Sequence, residues 1–242
     1  MTVRHDTRST GSECQIRVTK DRSGRQSPSL GRLVLQLAGT IDVTRLILGS
    51  RNRKKLLELQ DLLSDLPLEI VDLSAYPDAP DVEETGNSFA ENAALKATTL
   101  APRLGAWVLG EDSGLVVPAL DGRPGIFSAR FAGKHGDDAA NNAKLLAELA
   151  GKPPEARQAY YVSSVVLADP TGTLRAQAEG RCRGVILTSP RGSGGFGYDP
   201  LFEIPEYHAT FAELSLAVKQ ALSHRGRAIQ RLRPKLRQFL QC

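Results

Sequence analysis

The segment of residues 46–59, LILGSRNRKKLLEL, joins a short apolar run to a helical pattern across the turn Gly49-Ser50. The apolar run is typical of a buried strand, and the leucines after the turn recur at spacings of three and four. Either Ser50 or Asn52 can cap the helix. The segment therefore predicts a strand, a turn and a helix, which is the repeating unit of an α/β protein.

The same turn predicts an anion site. Unpaired backbone N–H groups and the positive end of the helix dipole meet there, and both favour phosphate. Cationic side chains oppose the dipole at a helix N-terminus, so four of them there indicate a bound polyanion. An ordinary junction with a solvated basic first turn is the alternative, and the P-loop spacing GxxxxGK[ST] is absent. The candidate phosphate-binding residues are Ser50, Arg51, Asn52, Arg53, Lys54 and Lys55.

Composition indicates a globular protein with no membrane or secretory segment. The chain has 242 residues, enough for one large domain or two closely joined lobes, and it is 41% hydrophobic and 24% charged. No apolar run approaches the roughly 20 residues of a membrane span, and the N-terminus has no signal-peptide pattern. Three widely spaced cysteines, Cys14, Cys182 and Cys242, suit neither a disulfide framework nor a zinc site. We therefore expect a cytoplasmic protein.

The positive charge is concentrated outside the main body of the chain. Residues 1–42 hold seven Lys and Arg against four Asp and Glu, so the other 200 residues carry only +1 of the net +4. Because no recognition motif accompanies this charge, we expect no nucleic-acid partner. Residues 1–31 are rich in Ser, Thr, Arg and Gly without periodicity. We predict a disordered extension over 1–42, although 33–37 would suit a short strand, and one domain over 43–242.

From residue 43 onward, predicted strands and helices alternate, which indicates a mixed sheet with flanking helices. Thr210 and Glu213 have the spacing of a helix-starting capping box, and Pro234 should kink or split the last helix. Ligands in such proteins bind where loops leave strand ends. We predict helices over about 52–65, from 88, over 137–150 and from 223, and strands over 68–73, 106–109, 115–117, 159–167 and 174–187, the last two forming a hairpin.

Two acidic clusters are candidate metal sites. Glu111 and Asp112 follow an apolar run directly, and adjacent carboxylates repel each other unless a cation such as Mg²⁺ neutralises them. Ser113, the next residue, can donate to a phosphate. Glu84, in the acidic stretch before the second helix, is a further metal ligand. A tight acidic turn and a solvated loop are the respective alternatives.

The glycine-rich stretch of residues 192–200, GSGGFGYDP, is a candidate nucleoside site. Its glycines, Gly197 among them, permit close backbone approach to a ligand. Phe196 and Tyr198 in so pliable a loop suit stacking on a planar base, and Asp199 can orient the loop or a ribose hydroxyl. The end of a long hairpin with buried aromatic side chains is the alternative.

The start of the last helix supplies hydrogen-bond donors. His224 and Arg225 can donate to carbonyl oxygens of a base, and Lys219, one turn earlier, can donate to phosphate. A solvated helix face is the alternative for these side chains. No Ser–His–Asp order, CxxC, HExxH or GxGxxG motif occurs, so nothing requires a covalent nucleophile.

Taken together and in this order, the motifs resemble those of the dITP/XTP pyrophosphatase family, the inosine and xanthosine triphosphatases. The resemblance spans about residues 44–240. The matching residues are Ser50-x-Asn52-x-x-Lys55, Glu84-Thr85-Gly86, Phe89-x-Glu91-Asn92-Ala93, Asp112-Ser113-Gly114-Leu115, Gly122-x-Pro124-Gly125, Ser128-Ala129-Arg130, residues 194–200 and Ser223-His224-Arg225. The family usually has Asp where this chain has Glu111, an acidic residue at Pro118, and Glu at Val218.

The resemblance implies two lobes around a long nucleotide-binding cleft, dependence on Mg²⁺ and a homodimer. It implies hydrolysis of ITP, dITP or XTP to the monophosphate and pyrophosphate, which cleanses the nucleotide pool. By motif, residues 50–55 hold the triphosphate, Asp112 is the catalytic acceptor, and Asp112 and Glu84 bind the metal. The remaining assignments place phosphate and nucleoside against Ser113, Phe196, Gly197, Tyr198, Asp199, Lys219, His224 and Arg225.

Two other functions stay open on the sequence. A non-catalytic purine-nucleotide-binding module would share most of these residues, although the intact Asp112 and Glu84 argue against it. A hydrolase of modified pyrimidine triphosphates would need the same phosphate chemistry with a different base. A panel of substrates distinguishes it from a purine enzyme.

Overall fold

A computed structural model describes residues 43–241; the predicted extension over 1–42 lies outside the described residues. Within them, seven strands form one sheet in the order β2-β1-β3-β4-β5-β6-β7. The strands are β1 (Thr44–Leu48), β2 (Leu68–Asp72), β3 (Trp107–Val116), β4 (Gln158–Ala168), β5 (Leu174–Ile186), β6 (Phe202–Ile204) and β7 (Ala209–Thr210), and the helices are α1 (Arg53–Leu62), α2 (Phe89–Leu104), α3 (Asp138–Glu148), α4 (Leu216–Leu222) and α5 (His224–Leu240).

The sheet is mixed, as predicted, with helices on both faces. Strand β1 runs parallel to β2 and β3, and all the other pairs are antiparallel. Leucines of α1 and α5 pack on one face of the sheet, whereas alanines of α2 pack on the other. The predicted hairpin is confirmed: β4 and β5 meet at a turn in which Gly172 N–H donates to the carbonyl oxygen of Asp169. No helix in residues 43–241 is long and apolar enough to cross a membrane.

The acidic pair Glu111 and Asp112 lies inside strand β3. This corrects the prediction of two short strands separated by a turn. Strand β3 is continuous and pairs with β4 along its length, with Asp112 opposite Ser164. Gly110 makes room for α2, because a Cβ there would collide with the carbonyl oxygen of Ala93. Since neighbouring side chains in a strand point to opposite faces, Glu111 and Asp112 diverge instead of sharing a site.

A predicted capping box near the C-terminus is wrong, and the last helix is not split. Glu213 accepts a hydrogen bond from Thr210 N–H at 2.8 Å, but the hydroxyl of Thr210 donates to Arg191 and does not cap a helix. Helix α4 instead begins after Ser215. Helix α5 continues through Pro234 without splitting, since its apolar side chains are buried on both sides of the proline.

Candidate active site

One cavity brings together most of the predicted site residues from distant parts of the chain. It lies beside the start of α1, the middle of β3, the glycine-rich loop and the start of α5. The predicted residues that line it are Ser50, Asn52, Lys55, Glu84, Asp112, Ser113, Phe196, Gly197, Tyr198, Asp199, Lys219, His224 and Arg225. Three others, Arg51, Arg53 and Lys54, are not part of the lining.

The turn before α1 presents fewer free groups to an anion than the sequence predicts. The Asn52 side chain caps the helix, and its oxygen accepts from the backbone N–H groups of Lys54 and Lys55 at 3.0 and 3.2 Å. Arg51 is paired with Asp81 outside the cavity. Arg53 and Lys54 are exposed. Of the four cations, only Lys55 therefore lines the cavity, and the Lys54 ammonium lies 5.4 Å from the ring centre of the cavity residue Phe196.

Asp112 and Glu84 meet at a lysine that the sequence analysis missed. The Lys96 ammonium lies 2.8 Å from a Glu84 oxygen and 3.7 Å from an Asp112 oxygen. Asn92, one turn before Lys96 on α2, donates to the other Asp112 oxygen at 3.1 Å. The signal in the sequence is a pair of polar residues four apart, Asn92 and Lys96. They lie beside the apolar residues Ala93, Ala97 and Leu100 on the same helix.

Burial raises the pKa of both carboxylates, but the net shifts have opposite directions. The pKa of Asp112 is raised by burial, although Lys96 and Lys55 pull it down. For Glu84, burial is outweighed by the charge and hydrogen bond of Lys96 together with the charges of Lys55 and Arg130, so its pKa is lowered. Within residues 43–241, no group of three or more His, Cys, Asp or Glu side chains is arranged to hold a metal. A metal at Asp112 and Glu84 would therefore need ligands from the substrate or solvent.

Glu111 occupies the other face of β3 and is neutralised by the protein itself. Its carboxylate accepts from Arg225 Nε at 2.7 Å and from the Ser163 hydroxyl at 3.0 Å, and it lies 3.8 Å from the Lys55 ammonium. Despite full burial, the charges of Arg225 and Lys55 hold the pKa of Glu111 at about 2. The expectation that Glu111 and Asp112 require a shared metal is thus wrong, because each has its own cation.

A buried chain of ion pairs continues from Arg225 to the glycine-rich loop. Glu58 of α1, also missed from the sequence, pairs with Arg225 and lies 3.1 Å from the Lys219 ammonium. Lys219 in turn donates to Asp199 at 2.8 Å. All three nitrogens of the Arg225 guanidinium contact protein oxygens, so few of its N–H groups stay free for a base.

The two aromatic side chains of the glycine-rich loop have different positions. Phe196 is half-buried beside the cavity, with the cationic groups of Lys219 and Lys54 at 4.9 and 5.4 Å from its ring centre. Tyr198 is a core residue, 3% exposed, and its hydroxyl donates to the carbonyl oxygen of Ser128. For Tyr198 the alternative of a buried aromatic side chain therefore holds, since its hydroxyl has a buried partner.

Asp199 orients the loop, which is one of the two roles expected for it. Its carboxylate accepts from the Phe196 backbone N–H at 2.8 Å as well as from Lys219. Gly195 must be glycine here, because a Cβ would overlap the Asp199 carboxylate and its φ is +73°. The loop conformation thus depends on a buried carboxylate at its end.

His224 is a neutral, buried ring. It stacks on Tyr161 at 4.6 Å between ring centres, and its Nδ1 has no hydrogen-bond partner among the described residues. Burial, reinforced by the charge of Arg225, holds the pKa of His224 well below its usual value. His224 therefore offers a base one donor and one acceptor instead of two donors.

This lowered pKa predicts a specific loss of stability in acid. Below pH of about 6.5 the unfolded chain protonates His224 and the folded chain does not, so the free energy of unfolding falls as the pH falls. The variant His224→Phe keeps a stacked ring and serves as the reference. Relative to it, the free energy of unfolding of the wild type should fall by up to about 1.4 kcal/mol for each pH unit below about 6.5. Urea unfolding of both proteins at pH 7.5, 6.5 and 5.5 measures this free energy, and parallel pH profiles of the two proteins would contradict the prediction.

Comparisons with known proteins place this chain in a family. The sequence model of the Ham1 family matches residues 46–235. A dITP/XTP pyrophosphatase of Rhodopirellula baltica is 52% identical over 196 residues, which are 81% of this chain and 94% of that protein. Another dITP/XTP pyrophosphatase, from Geobacter sulfurreducens, is 50% identical over 194 residues, 80% of this chain and 97% of that protein.

Solved structures give the same result. A HAM1 protein from Coxiella burnetii is 38% identical with a TM-score of 0.74, covering 81% of this chain and all of that one. A nucleoside-triphosphatase / dITP/XTP pyrophosphatase from Mycobacterium abscessus is 44% identical with a TM-score of 0.65, and the match covers 80% of this chain and 100% of that one. The match over residues 46–235, together with relatives that are half identical over nearly their full length, shows that this chain belongs to the Ham1 family.

Proposed function

We propose that this chain hydrolyses ITP, dITP and XTP to the nucleoside monophosphate and pyrophosphate, and so removes non-standard purines from the nucleotide pool. The observation that carries the proposal is the position of Asp112, which is buried in a cavity with Glu84 and Lys96 beside it. Lys55 and Phe196 line the same cavity. The relatives named dITP/XTP pyrophosphatases supply the substrate class.

Two carboxylates in the cavity wall support a divalent cation as cofactor. Glu84 and Asp112 both line the cavity, and the Lys96 ammonium contacts each of them. Two carboxylates plus phosphate oxygens form a typical Mg²⁺ site, and Glu84 and Asp112 are the two that would hold the ion. When bound, Mg²⁺ supplies positive charge to the phosphate oxygens.

The side chains have distinct parts in this reaction. Asp112 accepts a proton from the attacking water, and its raised pKa makes it a stronger base than an exposed carboxylate. The water oxygen forms a new bond to phosphorus as the anhydride link between the α- and β-phosphates breaks, and pyrophosphate leaves. Lys55 and Ser113 bind phosphate oxygens, and Phe196 stacks on the base.

Product analysis tests the proposed function. The protein is incubated with ITP in the presence and absence of Mg²⁺, and phosphorus NMR identifies the products. We expect IMP and pyrophosphate in equal amounts, and only with the metal. Binding of ITP without turnover would favour the non-catalytic module, and release of orthophosphate with IDP would assign cleavage to a different bond.

We also propose that the protein is a homodimer of the cytoplasm. The dimer follows from the family resemblance alone. The location follows from cysteine usage, and Cys182, which is buried and unpaired, is consistent with a reducing compartment.

Residues 43–242 are proposed to be sufficient for catalysis. The family match covers residues 46–235, and residues 1–42 have a composition that cannot bury a core. A chain shortened to residues 43–242 should keep the kcat for ITP and the melting temperature of the full chain. A large drop in either would show that residues 1–42 contribute to the fold or the site.

A further inference from the structure

One residue of the glycine-rich loop is held through both of its backbone polar groups by helix α3. The Gly197 N–H donates to the Asp138 carboxylate at 2.9 Å, and the Gly197 carbonyl accepts from the Asn142 side-chain amide at 2.9 Å. Asp138 and Asn142 are four apart in the chain, so they lie on one face of the first turns of α3. We call this pair of contacts the α3 clamp.

The clamp acts on a segment that is costly to order. Glycines lose more backbone freedom than any other residue on being fixed, and the stretch of residues 192–200 contains four. Gly197 is held in the left-handed region, at φ +62°. On its other side, the Phe196 N–H is bound by Asp199. Phe196 is therefore placed between two fixed peptide groups, one tied to Asp199 and one to α3.

We propose that Asp138 and Asn142 are positioning residues for the nucleoside, which hold the glycine-rich loop so that Phe196 faces the base. The inference rests on the proposed function, because the base is taken to stack on Phe196. Neither residue is among the proposed triphosphate contacts, Lys55 and Ser113, which belong to α1 and β3. Loss of the clamp should thus weaken nucleoside binding and leave pyrophosphate binding unchanged.

The two clamp positions have different chemical requirements, which gives matched substitutions. Position 138 needs only an acceptor, so Asp138→Asn keeps the contact with Gly197 N–H and Asp138→Ala removes it. The additional approach of the Lys54 ammonium to Asp138, at 3.9 Å, joins two half-exposed side chains and contributes little. Position 142 needs a donor, so Asn142→Asp sets a carboxylate against a carbonyl oxygen without changing side-chain shape.

Kinetics with ITP separate positioning from folding. Asp138→Ala and Asn142→Asp should each raise KM by roughly tenfold with kcat changed less than about threefold, since the loss is in binding the nucleoside before chemistry. Asp138→Asn should stay within about threefold of the wild-type KM. Asp137→Ala is the structural control: its carboxylate caps α3 through Ala140 N–H at 3.0 Å and does not contact Gly197. It should lower the melting temperature and leave KM unchanged.

Calorimetry with IMP and with inorganic pyrophosphate gives a second readout that does not require turnover. Asp138→Ala and Asn142→Asp should bind IMP about tenfold more weakly than the wild type and bind pyrophosphate equally well. The inference is overturned if both variants bind IMP normally, if pyrophosphate binding weakens to the same extent, or if Asp137→Ala raises KM as they do. If the wild type binds IMP but does not hydrolyse ITP, the proposed function fails while the clamp is still tested by the IMP affinities.

Discussion

Asp112→Asn is expected to lower the kcat for ITP by at least about 10²-fold, and by more if a metal ligand is lost with the base. An amide cannot accept the proton of the attacking water, and it is a poorer ligand for Mg²⁺ than a carboxylate. The fold should persist. Asn has nearly the same shape, and burial already raises the pKa of Asp112, so the site disfavours the charge that the substitution removes.

A matched control separates this loss from a general effect of removing an acidic group. Glu83→Gln makes the same change from carboxylate to amide beside Glu84, but Glu83 is exposed and does not line the cavity. This control should keep the wild-type kcat. If Asp112→Asn is folded by circular dichroism and retains more than about a tenth of the wild-type kcat, its assignment as the base is wrong.

Local patterns in the sequence were sufficient to predict the mixed α/β fold and most of the cavity. The leucine spacing after Gly49 predicts α1, and Ser88 caps α2, in agreement with the helix predicted from residue 88. These features depend on neighbours within one helix turn, so a single segment carries the information. The order of the motifs then identified the family, which the comparisons bear out.

The features that the sequence did not reveal depend on contacts between distant segments. The local sequence does not distinguish Lys96 and Glu58 from other polar helix residues. Their contacts with Asp112 and Arg225 form only in the folded chain. The sequence around Glu111 and Asp112 resembles a turn. In the folded chain it is extended, because β3 pairs with β4 there and α2 packs closely at Gly110. Tyr198 likewise becomes a core residue through a carbonyl oxygen 70 residues away in the chain.

Selectivity for the base should also be large, with ITP preferred to ATP by at least about 10²-fold in kcat/KM and by up to roughly 10⁴-fold. Lys219 and Arg225 have no acceptor atoms, and each keeps N–H groups beyond its contacts with protein oxygens. Neutral His224 can turn a donor to the base. A 6-oxo group accepts from them. The 6-amino group of ATP would instead set donors against donors in a buried site, which leaves them unpaired.

Rejection of GTP requires a second contact, because GTP shares the 6-oxo group. XTP has an oxygen where GTP has the 2-amino group, so the proposed discriminator is a donor near that position. The backbone N–H groups of residues 194–197 lie in the glycine-rich loop, and three of the four are already bound within the protein. In the described part of the chain, only the Gly195 N–H among them lacks a partner, so it is the proposed donor.

A direct comparison of kcat/KM for ITP, dITP, XTP, GTP, ATP and one modified pyrimidine triphosphate, with Mg²⁺ and detection of pyrophosphate, tests the central claim. We expect efficient release of pyrophosphate from ITP, dITP and XTP, with kcat/KM for ATP and GTP lower by at least about 10²-fold. Hydrolysis of ATP as efficiently as ITP would contradict the proposed base selectivity. Preference for the modified pyrimidine would contradict the proposed substrate class.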